Sequence, residues 1–174
     1  MQNLDADTRS SSSRGDDPAA AVLYRERLTP GLWLFLGAAV IGPMIALTAL
    51  RLVPALALAI GVASTAVILV LIVVLSPRLK VQGTTLHAGR AHIDARWLGA
   101  PEIRTGEAAR AARGPDLPAR GWHLIRGGIP GLVIVPITDP ADPAPRWTIS
   151  TRTPDRLAAA IDAARATAAR ADAD

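Results

Sequence analysis

The chain has 174 residues, half of them hydrophobic, with 19 Lys+Arg against 15 Asp+Glu, a net charge of +4 and no cysteine. The lack of cysteine excludes disulfides and thiol chemistry, and basic residues interleaved with acids exclude a nucleic-acid surface. The apolar residues concentrate in 31–77, leaving about 100 residues beyond, enough for one small domain with its own core.

In chain order, residues 1–21 are polar, with serines at 10–13, Gly15, Asp16 and Asp17, and read as a disordered tail. Tyr24, Arg25, Glu26, Arg27 and Leu28 follow directly before the first span, where Arg25 and Arg27 read first as cations that fix topology, with a short amphipathic turn along the membrane interface as the alternative. Leu32–Leu50 and 52–75 are uncharged runs of about 28–36 Å as helices, matching the roughly 30 Å of a bilayer's hydrocarbon. Arg51 and Pro54 fall between them and predict a tight turn over 49–54. Residues 22–77 are therefore expected to form a transmembrane hairpin, with helices about 32–50 and 54–75. The first span starts too late for a cleaved signal, and a second follows at once, so it reads as an anchor.

Arg25, Arg27, Arg78 and Lys80 flank the hairpin on one side and Arg51 alone lies on the other. These topology-setting cations place both ends of the chain in the cytoplasm and the hairpin, as a multi-pass segment, in the inner (plasma) membrane. Trp33 and Phe35 suit an aromatic belt. Ala38, Gly42 and Ala46 on the first helix, with Ala57, Gly61 and Thr65 on the second, form small-residue stripes that let two backbones approach. Pro43 should kink the first helix. Neither span carries Asp, Glu, Lys or His, so no proton relay or ion site is visible in them and a transporter is not expected.

Beyond the hairpin the period changes to two. Leu79 to Val81, Thr84 to His87 and Ala91 to Asp94 read as strands, with a turn at Ala88, Gly89 and Arg90. Residues 103–121 are rich in Ala, Arg and Gly and stay undivided, with a helical turn or loop at 107–113. Residues 122–125, 132–137 and 147–151 read as strands, and the Pro- and Asp-rich 139–145 as an exposed loop. Thr153, Pro154 and Asp155 then start a helix whose apolar face holds Leu157, Ala160, Ile161, Ala164 and Ala168. The fold class expected is an α+β membrane protein: a two-helix transmembrane hairpin followed by a small antiparallel β-barrel, pleckstrin-homology-like, with a C-terminal amphipathic helix. Residues 78–170 would be its cytoplasmic domain and 171–174 a tail.

Tyr24 to Leu28 ahead of a two-span hairpin, Ala88-Gly89-Arg90-Ala91, and Trp147-Thr148-Ile149-Ser150-Thr151-Arg152-Thr153-Pro154 running into an Ala/Leu helix resemble one family across about 22–165. It is the actinobacterial membrane-protein family called domain of unknown function 3093. The resemblance implies a small integral membrane protein with a pleckstrin-homology-like cytoplasmic domain, and no catalytic residue or cofactor.

Site chemistry is sparse. No nucleophile elbow, phosphate-binding glycine loop or His-Glu-x-x-His motif is present, so no catalytic site, cofactor site or metal site is assigned and an enzyme is not expected. Arg126, Arg146 and Arg152 are candidate contacts for a protein partner or anionic lipid at the inner leaflet. The expected function is a membrane-tethered binding or scaffold module. The alternative is a metal-dependent or lipid-modifying enzyme using His87, His92 and Asp94, two imidazoles and a carboxylate brought together by a hairpin.

Overall fold

The structure, a computed structural model, describes residues 21–29 and 31–173, so the expected N-terminal tail lies outside them but for Ala21. The described residues form a mixed α+β fold. Its elements are β1 (Val22–Arg27), α1 (Leu32–Leu50), α2 (Ala57–Val74), β2 (Arg78–Gln82), β3 (Thr85–Ala88), β4 (Ala91–Asp94), β5 (Glu102–Arg104), α3 (Gly106–Ala112), β6 (Trp122–Leu124), β7 (Gly131–Pro136), β8 (Arg146–Thr151) and α4 (Pro154–Ala171). The strands make two four-stranded sheets, ordered β1-β2-β3-β4 and β5-β7-β8-β6.

The segment before the first helix is not an amphipathic turn. It is β1, an edge strand paired antiparallel with β2, with Arg27 opposite Arg78 and Glu26 opposite Leu79. The Leu28 N–H donates to the Pro77 carbonyl at 3.0 Å and extends the pairing toward the helices. Burial explains the strand: Tyr24 and Leu28 are buried while Val22 and Leu23 are exposed, and both buried residues belong to the core. The apolar helices are thus inserted between two neighbouring strands. A fragment spanning 78–170 would lack one strand of its own sheet.

Both helices are long and apolar enough to cross a membrane. They pack on the small-residue stripes read from the sequence, with Ala38 and Gly42 buried on α1 and Ala57 and Gly61 on α2. A side-chain carbon at Gly61 would stand 2.6 Å from the Ala46 Cβ, and one at Gly42 would collide with the Thr65 hydroxyl. That hydroxyl instead donates to the Gly61 carbonyl at 2.9 Å. α1 runs on through Pro43, and Pro54 opens a 3₁₀ turn, Pro54–Leu56, that leads into α2.

The strands do not close into the expected barrel. After β4 the chain leaves the ladder in a 3₁₀ turn, Ala95–Trp97, held by the Asp94 carboxylate, which accepts from the Arg96 N–H at 3.0 Å. β5 therefore joins β7 instead of extending β4, and the three-residue β6 adds to β8 in parallel. Leu79, Val81 and Leu86 from the first sheet meet Val133, Val135 and Ile149 from the second in one core. α4 covers it with Leu157, Ala160, Ile161, Ala164 and Ala168, the face expected. Pro154 and Asp155 open α4 as read, but Thr153 makes no side-chain cap, because its hydroxyl is bonded to Tyr24 at 2.8 Å.

A leucine at Gly61 is expected to push the helices apart and cost about 1–3 kcal/mol. Paired spin labels at Leu47 and Leu58 would report a longer interhelical distance. Gly37→Leu is the control, since nothing lies within 4 Å of a carbon added there.

Candidate functional site

Alternation along the first sheet sends Tyr24, Leu79, Val81 and Leu86 inward and Arg25, Arg27, Arg78 and Lys80 outward. Register then aligns the outward set. Arg25 is opposite Lys80, Lys80 opposite His87, and His87 opposite His92, one row crossing all four strands. Arg27 opposite Arg78 makes a second, shorter row nearer the helices. Like charges directly opposite on neighbouring strands repel. The four cations assigned to topology are thus a single basic patch, which their distance in sequence conceals.

His87 and His92 do meet across the hairpin, with ring centroids 5.9 Å apart. Burial, with the His92 and Lys80 charges adding to it, holds the His87 imidazole below its ordinary pKa. Asp94 does not join them as a ligand, since its carboxylate is engaged by the Arg96 N–H. Among the described residues no group of three His, Cys, Asp or Glu side chains is placed to hold a metal ion.

Arg152 sits in a polar knot. The Glu26 carboxylate accepts from the Tyr24 hydroxyl at 2.6 Å, the Thr151 hydroxyl at 2.6 Å and the Arg152 backbone N–H at 3.1 Å. The Arg152 guanidinium donates to the carbonyls of Arg27 at 3.2 Å and Thr29 at 2.6 Å, and pairs with Glu26 at 3.5 Å. It clamps the end of β1 onto the β8–α4 junction. Burial and the Glu26 carboxylate together hold the Tyr24 phenol above its ordinary pKa, so it stays a neutral donor. Arg146 stands exposed at the start of β8, opposite Pro136.

Arg126 lies elsewhere, in a cleft of about 680 Å³ where the end of α2 enters β2. Its walls are 75–78, the β3–β4 turn at 88–91 and 122–126. Gly89 leads that turn with φ 65°, the left-handed conformation that a two-residue hairpin with glycine first requires. The Arg126 N–H donates to the buried Ser150 hydroxyl at 3.0 Å, which fixes its place. The Arg126 Nε is shielded from solvent and has no hydrogen-bond partner. Arg78 and Arg90 also line the cleft, and no Asp or Glu is among its lining residues. Trp122, half-buried, forms part of the wall and packs on the buried Trp147 at 4.5 Å between ring centroids. His123 lines the same cleft with its Nε2 3.1 Å from the Pro118 carbonyl. The glycine-rich turn after Arg126 packs against the entry to α1, where a carbon added at Gly128 would lie 3.1 Å from the Gly31 Cα.

Fold and site together define a small mixed α+β protein that roots two apolar helices in one sheet, with a basic patch and an acid-free cleft at their base. The chain belongs to the family described as protein of unknown function (DUF3093), whose model matches residues 23–161. No curated protein and no solved structure matches it.

Two outcomes are expected from this geometry. Glu26→Ala would leave four donors without their acceptor and lower stability by about 1–3 kcal/mol, measured by chemical denaturation of the full chain, with Tyr24→Phe costing about 1 kcal/mol. Because the folded His87 pKa lies below its ordinary 6.5, the unfolded chain takes up that proton first. Stability should fall as pH drops from 6.5 toward the lower folded value, and His87→Gln should flatten that slope in thermal unfolding series.

Proposed function

We propose that the protein is a membrane-tethered binding module, with α1 and α2 spanning the cell inner (plasma) membrane and the β domain presented at its cytoplasmic face. The observation that supports this reading is the pairing of β1 with β2. The residues entering α1 and those leaving α2 are neighbours in one sheet, so both flanks of the helix pair lie on one side. That side carries Arg25, Arg27, Arg78 and Lys80, while the far turn carries Arg51 alone, and the excess of positive charge argues for the cytoplasm.

The order of four antiparallel strands, a second sheet and a closing helix favours a pleckstrin-homology-like domain, here with open sheets and a parallel β6. One lysine among 19 basic residues, in an alanine-rich chain, fits the GC-rich coding expected of an actinobacterial source. The site residues are suited to recognition: the basic groups face outward or into a cleft, and Arg152 serves the fold. On this reading the partners are the bilayer and an anionic or protein ligand held against it.

The absence of native cysteine makes the topology directly testable. Single cysteines at Val53, in the α1–α2 turn, and at the exposed Ala141 would be probed in intact cells with a membrane-impermeant maleimide. Val53→Cys should label from outside and Ala141→Cys only after permeabilisation. The reverse pattern would refute the orientation, and extraction of the chain by alkaline carbonate would refute the tether.

A further inference from the structure

We infer that the cleft beside the end of α2 binds a phosphate-bearing anion, with Arg78, Arg90 and Arg126 as its ligands. The inference deepens the binding-module reading by naming the ligand chemistry, and it stands first on charge. Three arginines are among the lining residues of one cleft, and no Asp or Glu is. Four arginines outside the cleft have acceptors of their own: Arg104 pairs with Glu102, Arg113 with the Ile129 and Pro130 carbonyls, Arg152 with Glu26, and Arg165 with Asp162. The side chains of Arg78, Arg90 and Arg126 make no such bond among the described residues.

Arg126 carries the argument furthest. A guanidinium drawn partly out of water needs an acceptor, and a buried donor left without one costs about 1–3 kcal/mol. Its Nε is sealed from solvent without a partner, and Arg126 is among the residues lining the cleft, so a balancing anion would approach the group from there. The planar fork of arginine fits the oxygens of phosphate two at a time. Arg27 opposite Arg78 adds a like-charge pair at the same end of the sheet, which a bound anion would relieve.

Position selects among phosphates. Leu75 and Pro77 supply apolar wall next to Arg78, and Trp122 faces the same space. A ligand with its phosphate on the arginines would lay its apolar part along the end of α2, where a spanning helix leaves the hydrocarbon. A phosphoglyceride headgroup has that shape, whereas inorganic phosphate meets the arginines alone.

The test uses the full chain in an uncharged detergent, so that it does not depend on the helices spanning a membrane. Equilibrium dialysis would measure binding of dihexanoyl-phosphatidylglycerol, dihexanoyl-phosphatidylcholine and inorganic phosphate. Arg90→Glu, at an exposed turn where folding is not at risk, is expected to weaken phosphatidylglycerol binding at least tenfold, on the scale of about 1.4 kcal/mol per decade. Arg170→Glu, at the exposed end of α4, makes the same change of charge outside the cleft and should leave binding within about twofold, the effect of a screened surface charge. Arg126→Gln should lose binding and Arg126→Lys recover part of it. Tight binding of phosphatidylglycerol alone identifies a lipid headgroup, and equal binding of inorganic phosphate identifies a free anion. Equal losses at Arg90 and Arg170, or no binding of any phosphate by the unaltered chain, would overturn the proposal. An inverted or carbonate-extractable chain that still binds through Arg90 would overturn the membrane reading and leave the cleft intact.

Discussion

Most of this structure follows from one pairing, β1 against β2. Strands in a ladder lie about 4.8 Å apart, so the chain that leaves the sheet after Leu28 must return beside itself at Pro77, where the two backbones share a hydrogen bond. Two antiparallel helices are the economical solution, since each carries the chain out and back by about 1.5 Å per residue. Closing so long an excursion costs entropy that grows only with the logarithm of its length. Packing of α1 on α2 offsets that cost, and the packing depends on Gly42 and Gly61, where no larger side chain fits without displacing Thr65 or Ala46.

The same pairing creates the electrostatic problem that the site expresses. Bringing β1 to β2 sets Arg25 against Lys80 and Arg27 against Arg78. Inward, the strand is balanced: Glu26 gathers Tyr24, Thr151 and Arg152 into a knot that ties β1 to the start of α4. Outward, acids are scarce, and Asp94, on the same sheet, is engaged by the Arg96 N–H. A folded sheet that tolerates such a row either leaves it to water and salt or meets anions with it.

Local signals were legible and distant ones were not. The two apolar helices, their glycine stripes, the β3–β4 hairpin about Gly89 and the apolar face of α4 each declare themselves within a few turns or residues, and the structure has them all. β1 alternates buried and exposed residues from Tyr24 to Leu28, yet its partner lies beyond both helices, and next to a long apolar run it reads as a flank of that run. β5 and β6 have three residues each, too few to show a period, and their existence depends on β7 and β8. The barrel expectation failed for the same reason, because closure depends on where β5 goes after the Ala95–Trp97 turn. Among site residues, Arg126 was visible as a cation but not as one sealed at Nε, and Arg152 as a cation but not as a clamp. Solvent access and partners are tertiary properties.

The cleft's walls also bear on what occupancy would do. They come from the exit of α2, the β3–β4 turn and the 122–126 segment, and the turn just after Arg126 rests on Gly31 at the entry to α1. A ligand shifts a conformational equilibrium only by the difference in its affinity for the two states. An anion held between Arg78, which follows α2, and Arg126, which precedes the turn beside the entry to α1, would make different contacts if the helix pair tilted against the sheet. On the proposed reading, the affinity of the cleft and the posture of the helices are therefore one linked quantity.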